Sequence, residues 1–481
     1  MVCLTTSSGT PAGYRDKAVL SIIMLAVEAK GTRAASSKPA RANLLVPFMM
    51  AASYRMIGPV QGHVGLADRF LYDSCMEKEM LIAWIVGGAS LAAWIVLIVG
   101  RGGFWLARPQ LNSADASLDT ERRYPKVVAV IPARNEEAVL GTTLPTVLNQ
   151  QYAGELRVIV VDDHSEDDTA SVARRAAEQS EYPSRLTVHP NDPLPGKWAG
   201  KVWAMNGGAQ LAAQEQAAYI WFTDADIAHD PGMLRALVDK ATDESLDLVS
   251  VMAQLRIDSR WDRLLIPAFV YFFAKLYPFR LVSNPRRRTA GAAGGCILVR
   301  RSTLEKAGGL EAIRSALIDD CALGRLIKRH GGRVWLGFTR SVWSVRVYGT
   351  LRSIWDMVAR SAFHQLGYSV WQLIGTLLGM LLIYAAPPVA TLAGIVCMAA
   401  GIPGSSGLAL FGGATWGLMT LSFLPILRHQ RAGLWMAPLL PLAGVLYTAM
   451  TLSSAWRHAT GRSGMWKGRT YSRHTTGRSG M

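Results

Sequence analysis

The sequence predicts an α/β domain with a mainly parallel sheet, attached to membrane helices. After Lys126, short β-branched runs alternate with amphipathic stretches, which is the pattern of strands joined by crossover helices. Apolar segments almost free of charge flank this region, at residues 81–100 and over most of 370–454. Segments of about 20 apolar residues are long enough to cross a bilayer. We therefore expect one aqueous domain, one N-terminal membrane helix and about three C-terminal membrane helices.

Composition narrows the classes of partner. Half of the 481 residues are hydrophobic and the formal net charge is +16. The basic residues lie beside apolar segments and form no known nucleic-acid-reading motif, so anionic lipid headgroups are the expected partner and nucleic acid is not. The five cysteines lie far apart without CxxC spacing, which indicates neither a disulfide framework nor a zinc site.

The N-terminal part divides into an extension and a membrane helix. Residues 1–75 resemble neither a signal peptide nor a packed domain, and we expect them to be disordered or to precede the true start, for which Met76 is a candidate. Several bases, beginning with Arg101, follow the apolar span at 81–100, whereas charges balance on its other flank. The positive-inside rule then places residue 101 onward in the cytoplasm.

The aqueous domain is expected at residues 122–345. Its strands are predicted at 126–131, 156–161, 185–189, 219–223, 248–253 and 296–300, and its helices at 169–179, 199–213 and 320–330. Ser165 and Asp168 are candidate caps of the first helix, and Asp230 with Pro231 would start another after the fourth strand. The apolar stretch at 264–276 is too short to span a bilayer and predicts an interfacial helix.

The C-terminal part is predicted to hold further membrane helices. An interfacial region is expected at 346–368, then spans within 369–456 and a basic tail at 457–481. The apolar stretches are 370–402, 407–427 and 433–454, and three spans place the tail opposite the aqueous domain. A tight hairpin at Pro387-Pro388 would return the tail to the cytoplasm, although about 33 residues is short for two spans. Both topologies stay open.

An aspartate pair gives the first chemical signal. Asp224 and Asp226 follow a buried strand, which puts both carboxylates at the open edge of a parallel sheet, where ligands of such folds bind. Carboxylate oxygens suit Mg²⁺ or Mn²⁺, which also bind substrate phosphates. The pair therefore predicts a divalent metal and a diphosphate. His229 is a weaker candidate ligand, because a histidine in a loop is more often solvated.

Other polar clusters fall where such a ligand needs them. The acidic run 162–168 ends the second strand and leads into a helix. Its carboxylates could accept hydrogen bonds from a ribose or a uracil, or they could cap the N-terminus of the helix. Lys201 opens a helix and predicts a phosphate contact, with an ordinary surface lysine as the alternative. Asp319 and Asp320 also begin a helix. One of these carboxylates is suited to general-base catalysis, and the alternative is that both only cap the N-terminus of the helix.

Six segments, taken together, resemble a known family. They are IPARNEE at 131, VVDDHSEDDT at 160, GKVWAMNGG at 200, FTDAD at 222, GAAGG at 291 and IDDCALGRLIKRHGG at 318. In this order and spacing they resemble the family 2 glycosyltransferases of the GT-A fold, over about 126–345. The apolar flanks, with WDMVARSAFHQLGYS at 355 and WKGRTY at 466, look most like the hopene-associated glycosyltransferases of hopanoid-making bacteria.

The resemblance implies roles for the matching residues. Pro132, Arg134 and Glu136 would line the nucleotide pocket, Asp163 would meet a uracil, and Lys201 would meet the nucleotide or its diphosphate. The location implied is a bacterial cytoplasmic membrane, crossed several times, with the catalytic domain on the cytoplasmic side.

The remaining roles concern the sugar and the reaction. Asp224 and Asp226 would hold the sugar, the diphosphate and the metal, and Asp320 matches the catalytic base of an inverting displacement. The chain departs from its relatives at Asp319, where they usually have Glu, which keeps Asp319 open as the base. Gly294 and Gly295 would let the backbone approach the sugar closely.

The expected function is transfer of a sugar from a UDP-type donor to a lipid, with a hopanoid as the acceptor that the resemblance implies. The alternatives are another lipid, such as a diacylglycerol, a polyprenyl phosphate or a carotenoid, and a non-catalytic membrane scaffold that binds nucleotide sugar.

Overall fold

The computed structural model describes residues 66–113, 122–460, 465–466 and 469–470, with side chains at 78, 80–113 and 122–460. All of them belong to the compact unit His63–Met481. Residues 1–65 of the predicted extension at 1–75 lie outside the described residues. Most of the predicted basic tail at 457–481 also lies outside them. Residues 66–75 already form part of a helix, so for them the prediction of disorder was wrong.

The sheet of the aqueous domain is mixed. Its strands are β1 Val127–Ala133, β2 Leu156–Asp162, β3 Leu186–Pro190, β4 Tyr219–Thr223, β5 Ile227–His229, β6 Leu248–Gln254, β7 Cys296–Arg300 and β8 Val334–Ser344, in the spatial order β3-β2-β1-β4-β7-β6-β8-β5. The half formed by β3, β2, β1 and β4 is parallel. Strand β7 runs antiparallel to both its neighbours, and β5 is antiparallel to β8. Because β6 is antiparallel to β7 and parallel to β8, six of the eight strands run in the same direction. The sheet is therefore mainly parallel, as predicted, with β5 and β7 as the exceptions.

Helices cover the sheet and continue into an apolar region. They are α1 Leu66–Gly100, α2 Glu137–Leu148, α3 Thr169–Glu178, α4 Gly200–Gln214, α5 Met233–Asp243, α6 Arg260–Leu276, α7 Phe279–Val282, α8 Arg301–Lys306, α9 Asp319–Arg329, α10 Leu351–Gln365, α11 Val370–Met380, α12 Ala386–Ala399, α13 Ser405–His429 and α14 Leu440–Ala459. A short strand pair, β9 Met465–Trp466 and β10 Arg469–Thr470, follows.

The two faces of the sheet have different cores. All seven residues of β1 are buried, as expected for a central parallel strand covered on both faces. On one face Ile131 packs with α2, α3 and α5. On the other, Val130 belongs to a buried cluster that also contains Trp94, Tyr384 and Tyr447 of the apolar helices. The aqueous domain and the helices therefore share one continuous core.

Among the described residues, five helices are long and apolar enough to cross a membrane. They are Met80–Gly100, Arg260–Val282, Val370–Ala399, Ser405–His429 and Leu434–Ala459. The N-terminal helix and the three C-terminal helices match the predicted number. The stretch at 264–276, predicted as a short interfacial helix, is part of a longer apolar segment. Helices α6 and α7 together form the candidate span Arg260–Val282, which is long and apolar enough to cross a membrane. Its most apolar window is 61% buried, compared with 17% in the first helix, so much of this window is covered by protein.

The alternative hairpin at Pro387 is wrong. The chain stays helical from Val370 to Ala399, with a π-helical turn at Leu381–Ala385 just before the two prolines. The altered hydrogen-bond pattern of a π turn accommodates residues that lack an N–H, so the helix continues.

Two predicted helix starts also need correction. In α3 the first N–H, that of Thr169, donates to the Asp167 side chain at 3.1 Å, whereas the side chain of Asp168 makes no capping bond. Helix α5 begins at Met233 instead of Pro231, and the Asp230 carbonyl accepts its first N–H at 3.0 Å. The acidic run around residue 167 therefore serves partly as a cap.

Candidate active site

The predicted site residues converge at one edge of the sheet. Strands β1, β2 and β4 are parallel, so their carboxyl ends lie together, and Asp163 and Asp224 come directly after two of them. Strand β7 begins at the same edge, because Cys296 pairs with Thr223 at the end of β4. The loop before β7 therefore meets the aspartates that follow β4.

Lys201 joins two of the aspartates. Its Nζ lies 2.8 Å from Asp224 Oδ1 and 3.0 Å from Asp319 Oδ2. Helix α4 carries Lys201 to this position by packing closely on β1, since a Cβ at Gly208 would come within 2.3 Å of Val130 Cγ1. Lys201 is therefore the central cation of a carboxylate cluster and not an ordinary surface lysine, and its contact with a phosphate stays a prediction.

The electrostatics of this cluster follow from burial and charge. Burial raises the pKa of the Asp224 carboxyl to about 6, although the Lys201 ammonium opposes that rise. Burial alone would lower the pKa of Lys201, but Asp224 and Asp319 outweigh it and raise the pKa above the ordinary lysine range. Lys201 is therefore charged at neutral pH and supplies a fixed positive charge beside Asp224.

Asp320 is held by backbone donors. Its Oδ2 accepts the Gly294 N–H at 2.8 Å and its Oδ1 accepts the Cys321 N–H at 2.6 Å. Helix α9 packs tightly on the loop before β7, since a Cβ at Gly324 would lie 2.7 Å from the carbonyl carbon of Gly291. Burial, and next the charge of Asp319, raise the pKa of Asp320 to about 7.

Asp319 and Asp320 thus have distinct surroundings. Asp319 faces the ammonium of Lys201, whereas Asp320 accepts hydrogen bonds from two neutral backbone N–H groups. A carboxylate with a pKa near neutrality is better suited to exchange a proton than one bound to a cation. The geometry favours Asp320 as the group that moves a proton.

Arg346 was missed by the sequence analysis. Its Nε lies 2.7 Å from Asp226 Oδ2, and its terminal nitrogen lies 3.1 Å from Glu136 Oε2. Ser344, the last residue of β8, also donates to Asp226 Oδ2 at 3.2 Å. The only signal in the sequence was a basic residue two positions after a strand. Glu136, predicted to line the nucleotide pocket, lies beside the second aspartate of the pair.

The predicted nucleotide pocket is ordered by Arg134. Its guanidinium donates to the carbonyls of Asp163 and His164, both at 2.6 Å, and to Glu166 at 3.0 Å. Asp163 is fully buried and accepts a hydrogen bond from Asn191 Nδ2 at 3.2 Å. Asn191 follows β3 and was also missed.

The other predicted residues differ in their contacts. Pro132 is buried inside β1, where it pairs with Val161 of β2. The Gly294 N–H holds Asp320, and the Gly295 carbonyl accepts the Thr223 hydroxyl at 3.0 Å. Direct approach of this loop to a sugar stays a prediction.

His229 is not a solvated loop residue. It is 2% exposed, lies in β5, and its Nε2 is 2.9 Å from the Thr223 hydroxyl. Burial lowers its pKa to about 3, so the imidazole is neutral. Its ring packs edge-on to Trp221 with the centroids 4.7 Å apart, which indicates a structural role.

The two aspartates of the pair fit a divalent metal as a partial set of ligands. Within residues 66–113 and 122–460, no three His, Cys, Asp or Glu side chains form a metal-binding group. Mg²⁺ commonly uses one or two carboxylates together with waters and substrate phosphates. Asp224 uses only Oδ1 in its ion pair, and Asp226 uses only Oδ2, so each carboxylate has a second oxygen outside its ion pair. These two oxygens suit a metal whose other ligands are waters and the oxygens of a diphosphate.

Comparison with known proteins identifies the domain. Residues 128–308 match the family described as Glycosyl transferase family 2. The chain therefore contains a family 2 glycosyltransferase domain, and it lies within the predicted boundaries of 122–345.

Curated relatives match the chain over part of their length. The chain is 28% identical to the Probable glycosyltransferase YdaM of Bacillus subtilis over 48% of this chain and 54% of that protein. It is 31% identical to a Beta-monoglucosyldiacylglycerol synthase of Synechocystis over 27% and 25%, respectively. It is 37% identical to a 4,4'-diaponeurosporenoate glycosyltransferase of Staphylococcus aureus over 20% and 23%. The chain spans about half the length of these relatives or less.

Among solved structures, the mannosyltransferase PcManGT from Pyrobaculum calidifontis, in complex with GDP-Man and Mn²⁺, is similar to this chain. The TM-score is 0.46 at 19% sequence identity, over 80% of this chain and 99% of that one.

Proposed function

We propose that this protein transfers a sugar from a UDP-type nucleotide donor to a lipid hydroxyl, with inversion at the anomeric carbon. One observation carries the proposal. Lys201 ties Asp224, after β4, to Asp319, the neighbour of Asp320, so one cation joins the donor-binding aspartate to the candidate base. A glycosyl transfer needs both functions within a few ångströms of the anomeric carbon.

The donor is proposed to lie along the carboxyl ends of β1, β2 and β4. Asp163 and the loop ordered by Arg134 offer hydrogen-bond partners for a uracil or ribose. Lys201 offers its ammonium to the diphosphate, which would compete with Asp224 and Asp319 for it. A divalent metal held by Asp224 and Asp226 would supply Lewis-acid neutralisation of the charge on the departing diphosphate.

Asp320 is proposed as the general base. The acceptor oxygen forms a bond to the anomeric carbon while the bond from that carbon to the diphosphate oxygen breaks. Asp320 takes the hydroxyl proton, and the nucleoside diphosphate leaves with the bonding electrons. Because burial and Asp319 raise the pKa of Asp320 to about 7, its carboxylate is basic enough to accept this proton near neutral pH.

A lipid acceptor is supported by the common core of the domain and the helices. The buried cluster on one face of the sheet includes Val130 of β1, the strand whose carboxyl end borders the site, and Trp94 and Tyr447 in candidate membrane spans. Two relatives are named for lipid-related substrates, a diacylglycerol and diaponeurosporenoate. Among lipids, we propose a hopanoid, on the sequence resemblance, and a bacterial cytoplasmic membrane with the domain on its cytoplasmic side.

The proposal is tested by assaying the purified full-length protein in detergent. With Mn²⁺, a panel of nucleotide sugars and a bacterial lipid extract, we expect release of a nucleoside diphosphate and a new glycolipid with one donor. Extracts with and without hopanoids distinguish a hopanoid from other lipid acceptors. Binding of a donor without release in any extract would contradict the proposal and favour the non-catalytic scaffold.

A further inference from the structure

A separate cavity lies where the apolar helices meet the sheet domain. Its volume is about 400 Å³, in the usual range of sites for small molecules. It is formed by residues after β6, the start of α6 and the segment between α13 and α14. The lining residues used below are Leu255, Arg263, Gln430, Arg431, Trp435 and Met436. They do not include a residue of the candidate active site.

The cavity lies at the ends of two candidate membrane spans. It is lined by the turn that joins two candidate spans, Ser405–His429 and Leu434–Ala459. This turn rests against the sheet domain, since Gln254 Nε2 donates to the His429 carbonyl at 3.0 Å. Trp435 is 69% exposed at its rim, and tryptophan is enriched at membrane–water interfaces. For helices that cross a bilayer as these candidate spans would, this position is at the depth of lipid headgroups.

Two arginines give the cavity a positive charge. Arg263 and Arg431 are exposed, and within the described part of the chain neither forms an ion pair. The acids close to Arg263 in sequence have other partners. The Asp262 carboxylate accepts N–H groups of Ser259 and Gly349 at 2.9 and 3.2 Å, and Asp258 pairs with Arg256 at 2.8 Å.

The wall of the cavity contains an unsatisfied amide. Gln430 is 7% exposed, and both its side-chain nitrogen and oxygen are buried without a hydrogen-bond partner among the described residues. A buried amide without partners is unfavourable, so this part of the wall is polar and unsatisfied by the protein. The two exposed guanidinium groups point to an anionic ligand.

We propose that this cavity binds the headgroup of an anionic phospholipid from the surrounding membrane. Arg263 and Arg431 contact the phosphate, and Trp435 with Met436 lies at the start of the acyl chains. Basic pockets between helices at a membrane surface recognise phosphate-bearing headgroups in this way. This site does not depend on the proposed transferase activity.

The site adjoins the candidate active site through a second cavity. That cavity, of about 350 Å³, shares Leu255 with the first and reaches Ser344. The Ser344 hydroxyl donates to Asp226 at 3.2 Å. Lipid bound in the first cavity would therefore lie next to the segment that positions the second aspartate of the metal-binding pair.

The test measures lipid binding to the purified full-length protein in a neutral detergent. Dioctanoyl phosphatidylglycerol and dioctanoyl phosphatidylcholine are titrated separately, and bound lipid is counted by native mass spectrometry. We expect at least a tenfold preference for phosphatidylglycerol. The double variant Arg263→Gln, Arg431→Gln should lose about 10- to 30-fold in affinity for it, since each basic residue near a headgroup contributes about 1 kcal/mol.

Matched variants separate this site from general charge. Arg174→Gln with Arg325→Gln removes two exposed arginines from α3 and α9, and this control should bind as the wild type does. Arg263→Lys with Arg431→Lys should keep most of the affinity. If the glutamine double variant misfolds, as judged by its melting temperature, the two single variants should each show about a fivefold loss.

Three results would overturn the proposal. The first is equal binding of both lipids by the wild type. The second is unchanged phosphatidylglycerol binding in every folded arginine-to-glutamine variant. The third is displacement of the lipid by inorganic phosphate or glycerol phosphate at equal concentration, which would identify a site for free anions.

Discussion

The two aspartates after β4 are held by different cations. Asp224 pairs with Lys201, a residue of α4 that also binds Asp319, whereas Asp226 pairs with Arg346, which follows β8. The side chain of Lys201 is 20% exposed and that of Arg346 is 35% exposed. Two carboxylates separated by one residue thus belong to two clusters, one next to the candidate base and the other facing Glu136. We expect the first cluster to control proton transfer and the second to control metal and donor binding.

Asp320→Asn should have the largest effect. It removes the proposed proton acceptor, so turnover should fall by about 100- to 10,000-fold, the usual contribution of a general base. Donor affinity, measured by calorimetry with Mn²⁺ present, should not change. Asp319→Asn is the matched control. It should weaken donor binding through Lys201 but should lose less turnover, and the reverse order would assign the base to Asp319.

Lys201→Met should shift the pH profile of the reaction. The Lys201 charge lowers the pKa of Asp320, while burial and Asp319 raise it to about 7. The active form is the carboxylate, so the rate should rise with pH through this pKa. Without the ammonium the pKa rises further, and the acidic limb of kcat/KM should move to higher pH. Lys201→Arg keeps the charge and should keep the limb in place. If the acidic limb does not move in Lys201→Met, Lys201 does not influence the pKa of the catalytic base.

Arg346→Gln should change metal binding more than turnover. The guanidinium competes with a metal for Asp226, so its removal should lower the Mn²⁺ concentration needed for half-maximal nucleotide binding. The change should be at most about fivefold, because a partly exposed ion pair contributes about 0–1 kcal/mol. Arg352→Gln, an exposed arginine on α10, is the control. A higher Mn²⁺ requirement in Arg346→Gln would show that the arginine supports the metal site.

The smallest expected effect concerns stability. Between the ordinary aspartate pKa of 3.8 and about 7, folded Asp320 retains a proton that the unfolded chain has lost. Stability should therefore fall as pH rises through this window. Asp320→Asn cannot titrate, so its melting temperature should drop less between pH 5 and pH 8 than that of the wild type. Asp192→Asn, at an exposed position, should follow the wild type; equal pH dependence in Asp320→Asn would contradict the burial of a protonated carboxyl.

Residues next to strong local patterns were predictable. The predicted limits of β4 and β7 are those observed, because apolar runs bounded by polar residues define buried strands. Asp224 could be placed from its position after a strand alone, since parallel strands end at a common edge. Lys201 could be placed at a helix start, but its two carboxylate partners could not, because they depend on how α4 and α9 pack.

Residues brought together by long-range packing were not predictable. Arg346 and Asn191 are distant in sequence from their partners Asp226 and Asp163, and neither belongs to a recognisable local pattern. His229 follows a turn in the sequence, and only its pairing in β5 with β8 shows that it is buried. The reversed directions of β5 and β7 were missed for the same reason, since strand direction depends on the connections and not on strand composition.

The continuous core has a consequence for biosynthesis. Tyr447, in the last apolar helix, donates to the Leu265 carbonyl at 3.0 Å and packs on Phe272 with the ring centroids 5.0 Å apart. These contacts join α14 to α6 within the core that also covers one face of the sheet, yet Tyr447 follows Leu265 by 182 residues in the sequence. Early residues of a chain generally fold first during synthesis. Helix α4 can cover its face of the sheet while the domain is being made, whereas the packing of α6 is complete only after α14 has been synthesised.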